Sequence, residues 1–239
     1  MFFLDPTYLL LIPALILSLW ASSRVNSTFK KYSRQPSRNG ITGAQAARRV
    51  LDSHGLYDVQ IEYVRGNLTD HYDPTAKVLR LSENVYGNVS AAAIGVACHE
   101  AGHAIQHAEA YTPLKLRQAI IPITNIGSRC GIYLFMIGFI IAGIAGSGSI
   151  LGMGLAWAGI ALFSFTALFQ LLTLPTEFDA SSRALNEIER AGILQYDEIP
   201  AAKKVLNAAA LTYVAALAVS LTQLLRLVLI LGNLSNRRR

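Results

Sequence analysis

His99-Glu100-Ala101-Gly102-His103 sets two imidazoles four residues apart, with a carboxylate directly after the first. On an α-helix, residues i and i+4 lie one turn apart on one face, so the two rings can converge on a single metal ion. Glu100 points near the same site, where it can take a proton from a zinc-bound water without being a ligand itself. Residue types and spacing are those of H-E-x-x-H, a pattern of zinc hydrolases. Cys98 abuts the motif but is turned from His99 by one helical step of about 100°, so it reads as core and not as a ligand. The other cysteine, Cys130, is 32 residues away; the two form no CxxC and no disulfide framework.

A catalytic zinc site usually takes three protein ligands and leaves a fourth position open. Three residues are candidates for the third. His107 lies eight residues beyond His99, about 12 Å along a helix axis, and no Gly or Pro between 103 and 107 breaks the helix to bring it back. His71 sits in the turn-like stretch Asp70-His71-Tyr72-Asp73-Pro74 and reaches the site only if the fold carries it there. Glu177 follows Pro175-Thr176, which reads as a helix start, and so falls in the first turn of a new helix. Glu177 is the favoured third ligand, with His71 and His107 as the alternatives.

The elements that must position these residues begin with the membrane. Only 15% of residues are charged, against about a quarter in soluble domains. Apolar runs over 6–21, 120–146, 150–174 and 205–232 supply about four transmembrane helices. The first lacks a basic leader and a clean small-x-small cleavage site, so it reads as a retained anchor. The pair at 120–174 is joined by Ser147-Gly148-Ser149, short enough to force a hairpin, and Gly148 and Gly152 give one small-xxx-small spacing near its turn. The expected organisation is an N-terminal anchor (1–23), a polar zincin-like segment carrying the metal helix (24–119) and the hairpin (120–174). A helix with the third ligand (175–204) and a C-terminal transmembrane helix with a basic tail (205–239) complete it. The fold class is thus a mainly α membrane protein with a small α+β catalytic domain.

Within 24–119, Thr42 reads as the N-cap of a helix over 43–54 with Ala44, Ala47, Val50 and Leu51 on one face, ended by Gly55. Val59, Ile61 and Tyr63 alternate with polar residues as a strand does, and Lys77–Ser82 reads as a second strand. Ser90 caps an Ala-rich helix over 91–109 that carries the motif. The strand beside that helix can offer an unpaired edge to an extended peptide. This segment holds twelve of the 21 Lys and Arg, whereas none precedes the first anchor. The positive-inside rule therefore puts 24–119 in the cytoplasm, and the double crossing of the hairpin returns 175–204 to that side. A fourth helix that fully spans places Arg237-Arg238-Arg239 outside, against the same rule. The net charge of +6 is explained by topology and not by nucleic acid, because no basic run is interleaved with aromatic residues.

With these residues in view, the chain resembles the bacterial membrane zinc metallopeptidases called YugP-like. The likeness covers nearly the whole chain: the N-terminal anchor, Leu68–Pro74 before the second strand, His99–His107, and Glu177-Phe178-Asp179-Ala180-Ser181. More remotely it is similar to HtpX-type and CAAX-prenyl endopeptidases, whose third ligand is a glutamate on a later helix. Those proteins carry an acid four residues after that glutamate to brace the metal histidines. Here that place is Ser181, with Asp179 two residues after Glu177. The resemblance implies a gluzincin-type membrane endopeptidase in the plasma membrane, with a role in membrane-protein quality control.

The expected chemistry is hydrolysis of peptide bonds in a protein or peptide substrate by a zinc-activated water. His99, His103 and Glu177 hold the Zn2+, and Glu100 serves as general base. Arg183 and Tyr72 are candidates for stabilising the oxyanion. Two other readings share part of the pattern. An intramembrane site-2-type protease carries H-E-x-x-H on an apolar spanning helix, whereas 91–110 is flanked by polar strands. A non-catalytic metal-binding membrane protein keeps the histidines but has no use for Glu100.

Overall fold

The computed structural model describes residues 6–145 and 149–236. The Ser147-Gly148 part of the expected hairpin turn and the Arg237–Arg239 tail lie outside them. The elements run as a short 3-10 turn (Pro6–Leu10), α1 (Leu11–Tyr32), α2 (Gly43–Ser53), β1 (Gln60–Val64), β2 (His71–Asp73) and β3 (Val78–Ser82), then α3 (Glu83–Tyr86), α4 (Ala91–Ala108), α5 (Thr112–Ala145), α6 (Ile150–Arg190) and α7 (Ile199–Asn236). Four of the described helical segments are long and apolar enough to cross a membrane: Pro6–Tyr32, Thr112–Ala145, Ile150–Arg190 and Ile199–Leu234. This is a mainly helical membrane protein with a small sheet.

The chain forms two compact units, one of Met1–Trp20, Leu116–Thr173 and Tyr213–Arg239, the other of Ala21–Lys115 and Leu174–Thr212. In the first unit glycines let α5 and α6 approach backbone to backbone. A Cβ on Gly131 would meet Phe163 and Gly159, one on Gly138 would meet Ala156 and Gly152, and one on Gly152 would meet Ala142. Lipid tails are as apolar as leucine, so close van der Waals packing of this kind, more than hydrophobicity, joins helices in a bilayer. Leu9, Ile16, Ile140 and Leu151 remain exposed, as side chains facing hydrocarbon do. The polar interruption at Arg226 is buried, its guanidinium 3.7 Å from the ring centre of Tyr8, an arrangement that spares the charge from lipid.

The second unit contains the motif. Thr42 starts α2 with a reciprocal cap: its hydroxyl accepts from Gln45 N (3.2 Å) and its N–H donates to Gln45 Oε1 (2.9 Å). Ala46, Ala47, Val50 and Leu51 turn inward, and Gly55, at φ +70°, takes the left-handed conformation that ends the helix. The sheet is three-stranded in the order β1-β3-β2, β1 parallel and β2 antiparallel to β3. The central β3 buries Val78, Leu79, Leu81 and Ser82. The third strand, β2, lies where a turn is the sequence expectation; three residues carry too little periodicity to register as a strand. Asp70, just before β2, pins it by accepting from Ser82 N (2.7 Å) and Ser82 Oγ (2.9 Å).

Ser90 caps α4 through a bond from Ala93 N (3.2 Å). Ala92, Ala93, Ile94, Ala97, Cys98, Ala101 and Ile105 bury several faces of this helix at once, which is the pattern of a central core helix and not of a surface one. Small residues let its neighbours come close: Gly95 lies against Ala202 of α7, and Gly102 against the Ala180 carbonyl of α6. The expected break before Glu177 does not occur. Helix α6 runs through Pro175, which removes one N–H from the ladder, and the carbonyl of the next residue, Thr176, is bonded from α4 by Gln106 Nε2 (2.8 Å).

A Cβ on Gly102 would stand 2.7 Å from the Ala180 oxygen, so α4 and α6 must part to admit it. Gly102→Ala is expected to destabilise the detergent-solubilised chain by about 1–3 kcal/mol, the usual cost of overpacking, and to weaken zinc uptake at the same time. A thermal midpoint and a zinc content both equal to wild type would contradict the close approach.

Candidate metal centre

Helix α4 sets His99 and His103 on one face, their ring centres 4.8 Å apart and edge to face. Helix α6 sets Glu177 opposite them. Glu177 Oε2 lies 3.2 Å from His99 Nε2 and 3.5 Å from His103 Nε2, and the three donor atoms fall within 4.8 Å of one another. Among the described residues they form the one such group of His, Cys, Asp or Glu. Zinc binds His nitrogen and carboxylate oxygen at about 2.0–2.2 Å in a tetrahedron, whose edge is then about 3.3–3.6 Å. The two Nε2–Oε2 separations match that edge, and two imidazoles with one carboxylate are a donor set zinc takes. The residues present fit the ion.

Each histidine is also held from behind. Ser181, one turn after Glu177 on α6, places its Oγ 3.1 Å from His99 Nδ1. One face of α6 thus grips both nitrogens of His99. Gln106, three residues after His103 on α4, places Oε1 2.9 Å from His103 Nδ1. Both metal-facing nitrogens are therefore Nε2, and both outward nitrogens meet neutral oxygens. Such partners orient the rings and raise the affinity of a metal site. Ser181, the residue four after Glu177, thus meets His99 with a hydroxyl and not an acid. Gln106 was not singled out by the motif. Its signal was i, i+3 spacing from His103 and its being the one amide in an otherwise small and apolar run.

Glu100 is half-buried beside this group. Burial raises its pKa, and the Glu177 and Asp70 charges add to the rise, while His99 and His103 partly oppose it. A glutamate so tuned exchanges protons nearer neutrality than a free one. Asp70 is likewise raised by burial against the pull of its Ser82 hydrogen bonds. Burial lowers the pKa of His103, but the hydrogen bond and charge of Glu177, with the Glu100 charge and the Gln106 acceptor, reverse that and leave it raised.

The remaining candidates lie apart from this group. His107 stays on α4, its Nδ1 3.0 Å from the Tyr72 hydroxyl. His71 is exposed on β2, its Nδ1 2.9 Å from the Thr69 carbonyl. Neither joins the three donors. Arg183 is engaged by Asp179 Oδ2 and Glu109 Oε2, each at 2.6 Å. Cys98 is fully buried, and its burial drives the thiol well above the usual thiol range, in keeping with a core side chain.

Zinc must displace the proton that Glu177 helps to hold on His103. Because the His103 pKa is raised, the competing form gains as pH falls through that raised value, and affinity is lost on the acid side only. Apparent zinc affinity is expected to fall about tenfold or more per pH unit there and to level off above it. Chelator competition on the solubilised chain between about pH 5.5 and 8.5 reads this; a flat profile would contradict the pairing.

The family described as "Putative neutral zinc metallopeptidase" matches residues 7–232. The "Putative membrane protease YugP" of Bacillus subtilis (strain 168) is 52% identical over 224 residues, covering 94% of this chain and 96% of that protein. No solved structure matches. A match across both the spanning helices and the His99–Glu177 group, and not over the motif alone, means that the chain belongs to the neutral zinc metallopeptidase family.

Proposed function

We propose that this chain is a membrane-bound, zinc-dependent endopeptidase of the gluzincin type, hydrolysing protein or peptide chains. The observation that carries the reading is the convergence of His99 Nε2, His103 Nε2 and Glu177 Oε2 beside the half-buried Glu100. When bound, zinc lowers the pKa of a water toward about 7 and polarises the scissile carbonyl. The protein's own groups do the rest. His99, His103 and Glu177 fix the ion's place. Glu100 takes the proton from the attacking water and passes it to the leaving amine, a task its raised pKa suits.

The sheet supports a mode of substrate binding. Among the described residues β2 pairs with β3 alone, so its other edge is open to an extended peptide that adds as a further strand. Tyr72 projects from this strand to His107. The twelve Lys and Arg in 24–119 support a cytoplasmic active site in the plasma membrane. Four spans joined to a peptidase favour membrane proteins as substrates, which is the setting of quality control.

Glu100→Gln is expected to lower cleavage of an unfolded protein substrate by at least about 100-fold while zinc stays near one atom per chain. Retention of full activity would remove Glu100 from the mechanism. Glu177→Ala is expected to reduce zinc affinity by two or more orders of magnitude, because a two-histidine site lacks the third ligand a stable site requires. Unchanged zinc content after dialysis against chelator would exclude Glu177 as a ligand.

A further inference from the structure

We propose that Asp179 is a positioning residue for the metal centre, acting through Gln106 to fix the tautomer in which His103 offers Nε2 to zinc. The inference rests on the reading of His103 as a ligand. It concerns how a neutral side chain is made to act as a brace.

Gln106 is fully buried. An amide has an accepting end and a donating end of nearly the same shape, so only its neighbours decide which way it points. One end of Gln106 lies 2.8 Å from the Thr176 carbonyl and 2.8 Å from Asp179 Oδ2. Both partners only accept, so this end is the NH2 group and both of its hydrogens are used. The other end is then Oε1, which meets His103 Nδ1 at 2.9 Å. An acceptor at that place requires the proton on Nδ1, which leaves the lone pair on Nε2, the nitrogen that faces Glu177. Ser181 does not impose the same choice on His99, because a hydroxyl both donates and accepts.

Asp179 is held in turn. Arg183 Nε donates to the same Oδ2 at 2.6 Å, and Arg183 Nη1 donates to Glu109 at 2.6 Å. A charge-assisted bond to a carboxylate is about twice as strong as one to a neutral carbonyl, so Asp179 is the stronger of the two groups that orient Gln106. Helix α6 therefore presents two polar rows. Glu177 and Ser181 meet His99, while Thr176 and Asp179 meet Gln106. A relay thus runs from Arg183 through Asp179 and Gln106 to His103.

The relay needs an acceptor at position 179. Arg183 Nε and Gln106 Nε2 meet the same oxygen, Asp179 Oδ2, so Asp179→Asn keeps both bonds when its amide oxygen takes that place. Asp179→Leu offers no acceptor, which leaves the Gln106 amide held by the Thr176 carbonyl alone and loosens the acceptor that faces His103 Nδ1. Zinc affinity of the full chain in detergent, read by chelator competition, is expected to fall about 10–100-fold in Asp179→Leu, with a changed absorption spectrum in the cobalt-loaded form, and to stay within a few-fold of wild type in Asp179→Asn. Zinc bound by Asp179→Leu within twofold of wild type, or Asp179→Asn as weak as Asp179→Leu, would overturn the relay. If Asp179→Leu does not fold, Gln106→Met takes its place: weakened zinc supports the relay and unchanged zinc overturns it. A wild-type chain that takes up no zinc would overturn the metal reading as well, whereas tight zinc in wild type and Asp179→Leu alike overturns the relay alone.

Discussion

The close approach of α4 and α6 at Gly102 and Ala180 is the contact on which the site depends. The two histidines stand on one helix and the glutamate on the other, and no loop mediates between them. A glutamate side chain is short, so the helix axes must be near for its carboxylate to reach imidazole nitrogens at 3.2 and 3.5 Å. A hydrogen in place of a side chain at position 102 provides that nearness. The second variable position of the H-E-x-x-H motif thus acts in assembly, by letting the motif's histidines stand opposite Glu177.

Polar groups brought so close must be satisfied, and the same two helices do this for each other. Gln106 on α4 donates to the Thr176 carbonyl, and Ser181 on α6 meets His99 Nδ1. An unpaired buried amide or imidazole costs about 1–3 kcal/mol, so a misregistered α4–α6 pair would lose several such bonds at once. That penalty selects a single register more sharply than alanine packing could, since small apolar faces slide with little loss. Helix α6 itself continues through Pro175, where local preference would end it.

Much of this was legible in the sequence. Periodicity and caps located α2 and α4 to within a residue, because Thr42 and Ser90 precede helical patterns and bond as N-caps do. The apolar runs located the four spanning helices, although each of those helices extends past its run into polar chain, where helix continues without an apolar signal. The three donors were nominated from types and spacing, and the structure brings all three together. What was not legible was whatever depends on two distant segments meeting. β2 is a strand because β3 is beside it. Gln106 matters because Thr176 and Asp179, 70 and 73 residues later, fix which end of its amide faces His103.

Electrostatics ties these features to a cation. Burial raises the Glu100 pKa, and the charges of Glu177 and Asp70 add to the rise. Charges of one sign in a poorly solvated place are not left uncompensated; groups take up protons, or a cation enters. Glu100 and His103 are both raised, so each holds a proton more readily than the free side chain does. A site that had evolved only to join α4 to α6 would do better with apolar side chains of the same volume, since buried ion pairs seldom improve on them. Retaining these acids and histidines in the core of the unit is favourable only if the positive charge they attract is used.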